Sequence, residues 1–216
     1  MLPTSVRIAP MSLELWLAFA FASVVLLAIP GPTVMLVVSF AIGQGRKTGW
    51  ATVPGVALGD FTAMTISLLG AGAVLAASAT LFVALKLAGA VYLVWLGIQL
   101  WRAGPGMPAV AAAADRRPAM FWHAYAVTAL NPKSIVFFIA FVPQFVSEDR
   151  ALLPQVAVLE LTFVTLAAAN AALWAVLAGQ LRARLRSPRV LRLVNRAGGS
   201  LLIVAGALTA ATRRTA

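Results

Sequence analysis

The residues able to do chemistry in this chain stand where long apolar runs are interrupted. Pro30-Gly31-Pro32 breaks into the first run, Asn131-Pro132-Lys133 into the fourth, and Asp60 lies inside the second. A proline within a helix removes a backbone hydrogen bond and clashes with the preceding turn, so both strings predict a broken helix. Unpaired backbone deep in an apolar medium is tolerated only against protein or a wet cavity, so each break also predicts a cavity. Asn131 is suited to cap a new half-helix with Pro132 at its first position, which presents free N–H groups and a positive dipole end to a carboxylate-sized anion. One proline kink alone would favour a packing role. Two at matching places favour a site formed by Pro30, Gly31, Pro32, Asn131, Pro132 and Lys133.

Lys133 lies about 14 residues into a run of some 27, and a charge at the bilayer centre costs about 2.5–3.5 kcal/mol on insertion scales. A carboxylate of the chain, the carboxylate of a ligand or cavity water would compensate it, and snorkelling along its stem is the alternative. Asp60, ten residues into its run, stands about 15 Å deep at about 1.5 Å per residue. Proton coupling, binding of an ammonium group and a static ion pair with Lys133 are all open to it. Glu160 is placed nearer the end of its run. His123, beside Trp122, reads as interfacial rather than as a proton relay. No nucleophile and base are paired, so no catalytic residues are assigned, and without cysteine there are no soft metal ligands. No metal and no cofactor is expected.

The elements that must hold these residues follow from composition. Apolar residues make up 62% of the 216 and charged ones 11%, with a mean hydropathy of +0.94, whereas a soluble domain carries roughly 25% charge. Six continuously apolar stretches run over about 13–42, 50–76, 80–101, 120–146, 152–180 and 194–211. Their continuity excludes a β-barrel, whose strands alternate. The fold class expected is therefore an all-α integral membrane bundle of six transmembrane helices. Residues 1–11 read as an N-terminal extension, with Met11 an alternative start, and the first run is too long for a signal peptide. Trp16, Trp50, Trp101 and Trp122 near run ends suit interfacial anchoring.

The net charge of +11 does not indicate nucleic acid, because the basic residues fall between apolar runs, as topology determinants and contacts for membrane lipids. Arg46 and Lys47, then Arg102, Arg116 and Arg117, then six arginines from Arg182 to Arg196 follow alternate runs and share one side. Eleven against four or five places that side in the cytoplasm and both termini outside. A Gly-, Pro- and Ala-rich linker at 104–118 separates a repeat at about 12–103 from another at about 119–216. Pro32 and Pro132 stand 100 residues apart, as do Asp60 and Glu160. Three runs per half make this a 3+3 inverted repeat with helices 1 and 4 broken. Gly55 and Gly59, and likewise Gly97 and Gly199, read as positions of close helix packing.

Several strings carry a resemblance: Pro30-Gly31-Pro32, AGAVYLVWLGIQLWR from Ala88 to Arg102, NPKSIVFFIAFVPQF from Asn131 to Phe145, and GSLLIVAGAL from Gly199 to Leu208. From about Met11 to its C-terminus the chain resembles the lysine exporter and homoserine/threonine exporter family. The family's motifs fall on Pro30, Gly31, Pro32, Gly55, Gly59, Tyr92, Gly97, Asn131, Pro132, Lys133, Pro143, Gln144, Phe145 and Gly199. The resemblance implies a translocator of the bacterial inner membrane that exports amino acids or their close derivatives, driven by protons. An acid at the position of Asp60 occurs in some members only, and the position of Glu160 is usually small.

Together these readings predict a secondary-active exporter working by alternating access. Its partners would be a small amino-acid substrate, protons and lipid, with no nucleic acid and with self-association left open. An ion or metal exporter on the same scaffold is the first alternative, and a membrane-embedded enzyme the second. A noncatalytic scaffold leaves two broken helices with midplane charges unexplained.

Overall fold

The computed structural model describes residues 11–44, 46–102, 117–147, 150–180 and 188–211. Among them are eight α-helices and one 3-10 turn, with no strand. They are α1 (Leu13–Ala28), α2 (Pro32–Gln44), α3 (Arg46–Ala77), α4 (Ala79–Arg102), α5 (Arg117–Ala129), α6 (Pro132–Ala140), the 3-10 turn Val142–Phe145, α7 (Leu152–Gln180) and α8 (Pro188–Ala211). The N-terminal extension up to Pro10, the linker from 103 to 116 and the arginine-rich stretch from 181 to 187 lie outside the described residues.

Both breaks form as the prolines dictate. A residue that precedes proline is driven out of the helical region. Ile29, before Pro30, takes φ −72°, ψ 116° and ends α1; Asn131, before Pro132, takes φ −71°, ψ 109° and begins α6. Pro32 and Pro132 each open the next helix, where a missing N–H costs nothing. The chain bends by 56° between α1 and α2 and by 44° between α5 and α6. By contrast, Pro54 is carried inside the 32 residues of α3.

Length and apolarity allow Trp50–Val74 in α3 and Leu152–Ala178 in α7 to cross a bilayer, and each bent pair to form one further span, making four. The other two runs of the sequence fall on α4 and α8, whose apolar stretches are the shorter Val83–Gln99 and Leu202–Ala211. In α8 the apolar stretch follows Arg189, Arg192 and Arg196, and in α4 it carries Lys86 within it.

The helices pack as α3 against α5 and α7, α4 against α8, and α2 against α3 and α7. Phe19, Phe137, Phe138, Phe141, Phe145 and Phe163 join in one aromatic core, with Phe138 edge-on to Phe163 at 4.8 Å and Phe19 edge-on to Phe145 at 5.4 Å. Leu36, Val37, Phe40, Val56 and Met120 form a second core. Phe21, Leu69, Leu130 and Leu153 are exposed while Asp60, Asn131, Lys133 and Gln155 are buried, an arrangement made for lipid rather than water.

Candidate functional site

Where the two cores meet, α1, α2, α3, α6 and α7 surround a cavity of about 20 Å³, enough for a single water. Leu26 and Ala167 of its wall belong to the first core; Val37, Val56 and Ala171 belong to the second. Gly31, Asp60, Asn131 and Lys133 line it, so residues from both breaks and from the second apolar run come together.

Three carbonyls at the end of α1 show how the break is satisfied. The last carbonyls of a helix have no partner within it. Lys133 reaches across from α6 and donates Nζ–H to the carbonyl oxygens of Leu26 and Ile29, each at 3.0 Å. Asn170 of α7 donates Nδ2–H to the Leu27 carbonyl at 3.1 Å. Gly31 leaves room for the lysine, since a Cβ there would stand 3.3 Å from Nζ. A lysine has three N–H donors, and two are spent on the backbone.

The second break is tied to the first through side chains. Asn131 Oδ1 accepts from the Lys133 backbone N–H at 3.1 Å, capping α6. Its Nδ2–H donates to Thr33 Oγ1 at 3.3 Å, and Thr33 shares a further hydroxyl hydrogen bond of 3.2 Å with Thr128 at the end of α5. The first turns of α2 and α6 open on the cavity through Thr33, Val34, Lys133 and Ser134.

Asp60 is 2% exposed, and its Oδ1 has no hydrogen-bond partner. The ammonium of Lys133 is the charge it feels, acting through space rather than through a hydrogen bond. Glu160 stands elsewhere, accepting from Thr65 Oγ1 at 2.5 Å between α7 and α3. Its 100-residue spacing from Asp60 therefore does not bring the two acids to one cavity. His123 packs edge-on against Phe40 at 6.1 Å. Trp16, which its position at a run end suits for anchoring, donates Nε1–H to Thr162 at 3.0 Å. Among the described residues no group of three His, Asp or Glu side chains could hold a metal ion.

The glycines read as packing positions do not line the cavity but lie at helix contacts. A Cβ on Gly55 would stand 2.4 Å from the Phe121 carbonyl and one on Gly59 2.8 Å from Thr128 Cβ, where α3 meets α5. Gly97 and Gly199 face each other across α4 and α8. Close by, Trp101 donates Nε1–H to Ser200 Oγ at 2.9 Å and lies under the Arg196 guanidinium at 5.0 Å. Of the other motif residues, Gln144 donates Nε2–H to the Ala140 carbonyl at 3.0 Å and to Thr209 Oγ1 at 3.3 Å.

Sequence reasoning missed Thr33, Thr128, Ser134 and Asn170. Thr33 follows Pro32 as Lys133 follows Pro132, which would have found it. Asn170 is an amide deep inside an apolar run, the same signal that marked Asp60.

The chain shares 33% identity over 204 residues with an uncharacterized membrane protein of Vibrio cholerae, covering 94% of this chain and 100% of that protein. The homoserine/homoserine lactone efflux protein of Salmonella typhimurium is also 33% identical over 204 residues, covering 94% and 99%. The leucine efflux protein of Klebsiella pneumoniae is 28% identical over 137 residues, covering 61% and 63%. No solved structure matches the chain. The family match itself runs over residues 24–212, so this helical membrane protein belongs to the LysE type translocator family.

Proposed function

We propose that the chain exports amino acids or their close derivatives across the bacterial inner membrane, using the proton gradient and alternating access about the cavity between the two breaks. One observation carries the reading: a buried carboxylate with an unpartnered oxygen, Asp60, shares a cavity with a buried ammonium, Lys133, and with the first turns of two helices. One fixed charge of each sign suits a zwitterion. The N-terminal ends of α2 and α6, with the remaining N–H of Lys133, would take the substrate carboxylate. Asp60 would take the ammonium group, or a proton in exchange for it.

A water-sized cavity is too small for an amino acid, so this conformation is closed around the site and the half-helices must separate to load it. The 56° and 44° bends supply the natural hinges. We place six spans in two inverted repeats, with α4 and α8 as the third and sixth. The efflux names of the relatives point to transport rather than catalysis and supply the class of cargo.

The test is efflux from liposomes loaded with mixed amino acids, under an imposed pH gradient. The protein is expected to release some of them, with Asp60→Asn and Lys133→Ala slowing release at least about tenfold, the loss of roughly 1.4 kcal/mol or more in the transport barrier. Wild-type rates in both variants would sink the assigned roles.

A further inference from the structure

We infer that the C-terminal end of α1 is a monovalent-cation site, which the chain fills with its own Lys133. Proline breaks leave carbonyl oxygens that no helix can satisfy, and such half-helix ends, with their negative dipole, are suited to coordinate a cation. Here the Leu26 and Ile29 carbonyls converge on a single ammonium nitrogen, 3.0 Å from each. The neighbouring Leu27 carbonyl is taken by Asn170, a neutral donor. A fixed negative group completes the surroundings: Asp60 lines the same cavity, and its Oδ1 lacks any hydrogen-bond partner. Two backbone oxygens in contact, with a carboxylate facing the same cavity, make a hard oxygen environment of the kind that accepts a small monovalent cation or a primary ammonium.

Lys133 reaches this place from 107 positions further along the chain. Gly31 lies against the end of that side chain, where an added methyl group would stand 3.3 Å from Nζ and 3.4 Å from Cε and make the lysine give way by a few tenths of an ångström. The lysine thus acts as a tethered cation, holding the end of α1 to the start of α6, the second half of the other broken pair. A chain built this way needs no free cation to stabilise the closed arrangement.

The cation site shares its cavity with the proposed transport site, but its occupancy is read from thermal stability, so it stands or falls apart from export. In Lys133→Ala the site loses its own ammonium and becomes available to a free one. Thermal unfolding of the purified variant in detergent should shift upward by about 5 °C at saturating methylammonium. Sodium is the second probe, and choline, too bulky for the site, controls for ionic strength. The wild-type protein should not respond to any of the three. If Lys133→Ala does not accumulate in the membrane, recovery of its yield with methylammonium in the growth medium makes the same test. The inference is overturned if neither methylammonium nor sodium moves the variant, or if the wild type responds equally. It is also overturned if the response persists in Lys133→Ala/Asp60→Asn, because the cation then binds elsewhere.

Discussion

Asn131 serves both halves of the molecule with one amide. Its carbonyl oxygen caps α6 and its Nδ2–H reaches Thr33 on the far side of the cavity. These duties separate under substitution. Asn131→Ala removes both and should lower stability by about 1 kcal/mol, the usual worth of such a cap. Asn131→Ser keeps a capping oxygen but cannot span to Thr33, so it should melt near the wild-type temperature while efflux slows. Thermal unfolding in detergent beside liposome efflux checks the pair, and a serine variant with wild-type transport would show that the link to Thr33 is dispensable. Asn131 was legible in the sequence because cap and N1 proline are neighbours in the chain. The partners of Lys133 were not, since backbone carbonyls have no letter of their own and any residue could have supplied them.

Between elements, contact distance decides what a glycine is for. A Cβ on Gly97 would stand 2.6 Å from the Gly199 carbonyl oxygen, and one on Gly199 2.5 Å from the Gly97 carbonyl oxygen. Both obstacles are backbone and cannot rotate aside, so α4 and α8 would have to part. Gly72, in α3, has nothing within 4 Å of the same position. Gly97→Ala should therefore destabilise by about 1–3 kcal/mol, while Gly72→Ala should be neutral or stabilise by up to about 1 kcal/mol through helix propensity. Opposite signs in parallel melts would separate packing from propensity; equal losses would mean that α4 and α8 do not meet as described. The sequence marks Gly55 and Gly59 by spacing, and Gly97 and Gly199 as packing positions, but cannot say which helix each faces. The helix breaks were legible because proline acts on its own backbone. The separation of Glu160 from Asp60 was not, because it depends on how α7 turns against α3, where Thr65 claims the carboxylate.

At the scale of the whole molecule, the three spans per half proposed above require the two halves to enter the bilayer from opposite faces, whatever their sequence similarity. The basic residues then set which face is which, because loops rich in Lys and Arg are retained in the cytoplasm. On this reading the end of α7 and the start of α8 are cytoplasmic, and the turn before α7 is outside. The chain contains no cysteine, so single cysteines can be placed without background. Ala151, exposed just before α7, and Arg189, exposed in the first turn of α8, flank that span at its two ends. A membrane-impermeant maleimide should label Ala151→Cys in intact cells, and Arg189→Cys only after permeabilisation. Labelling of both in intact cells would remove α7 as a span and the inverted repeat with it. The reverse pattern would keep the repeat but turn the molecule over, placing both termini in the cytoplasm and overruling the basic loops.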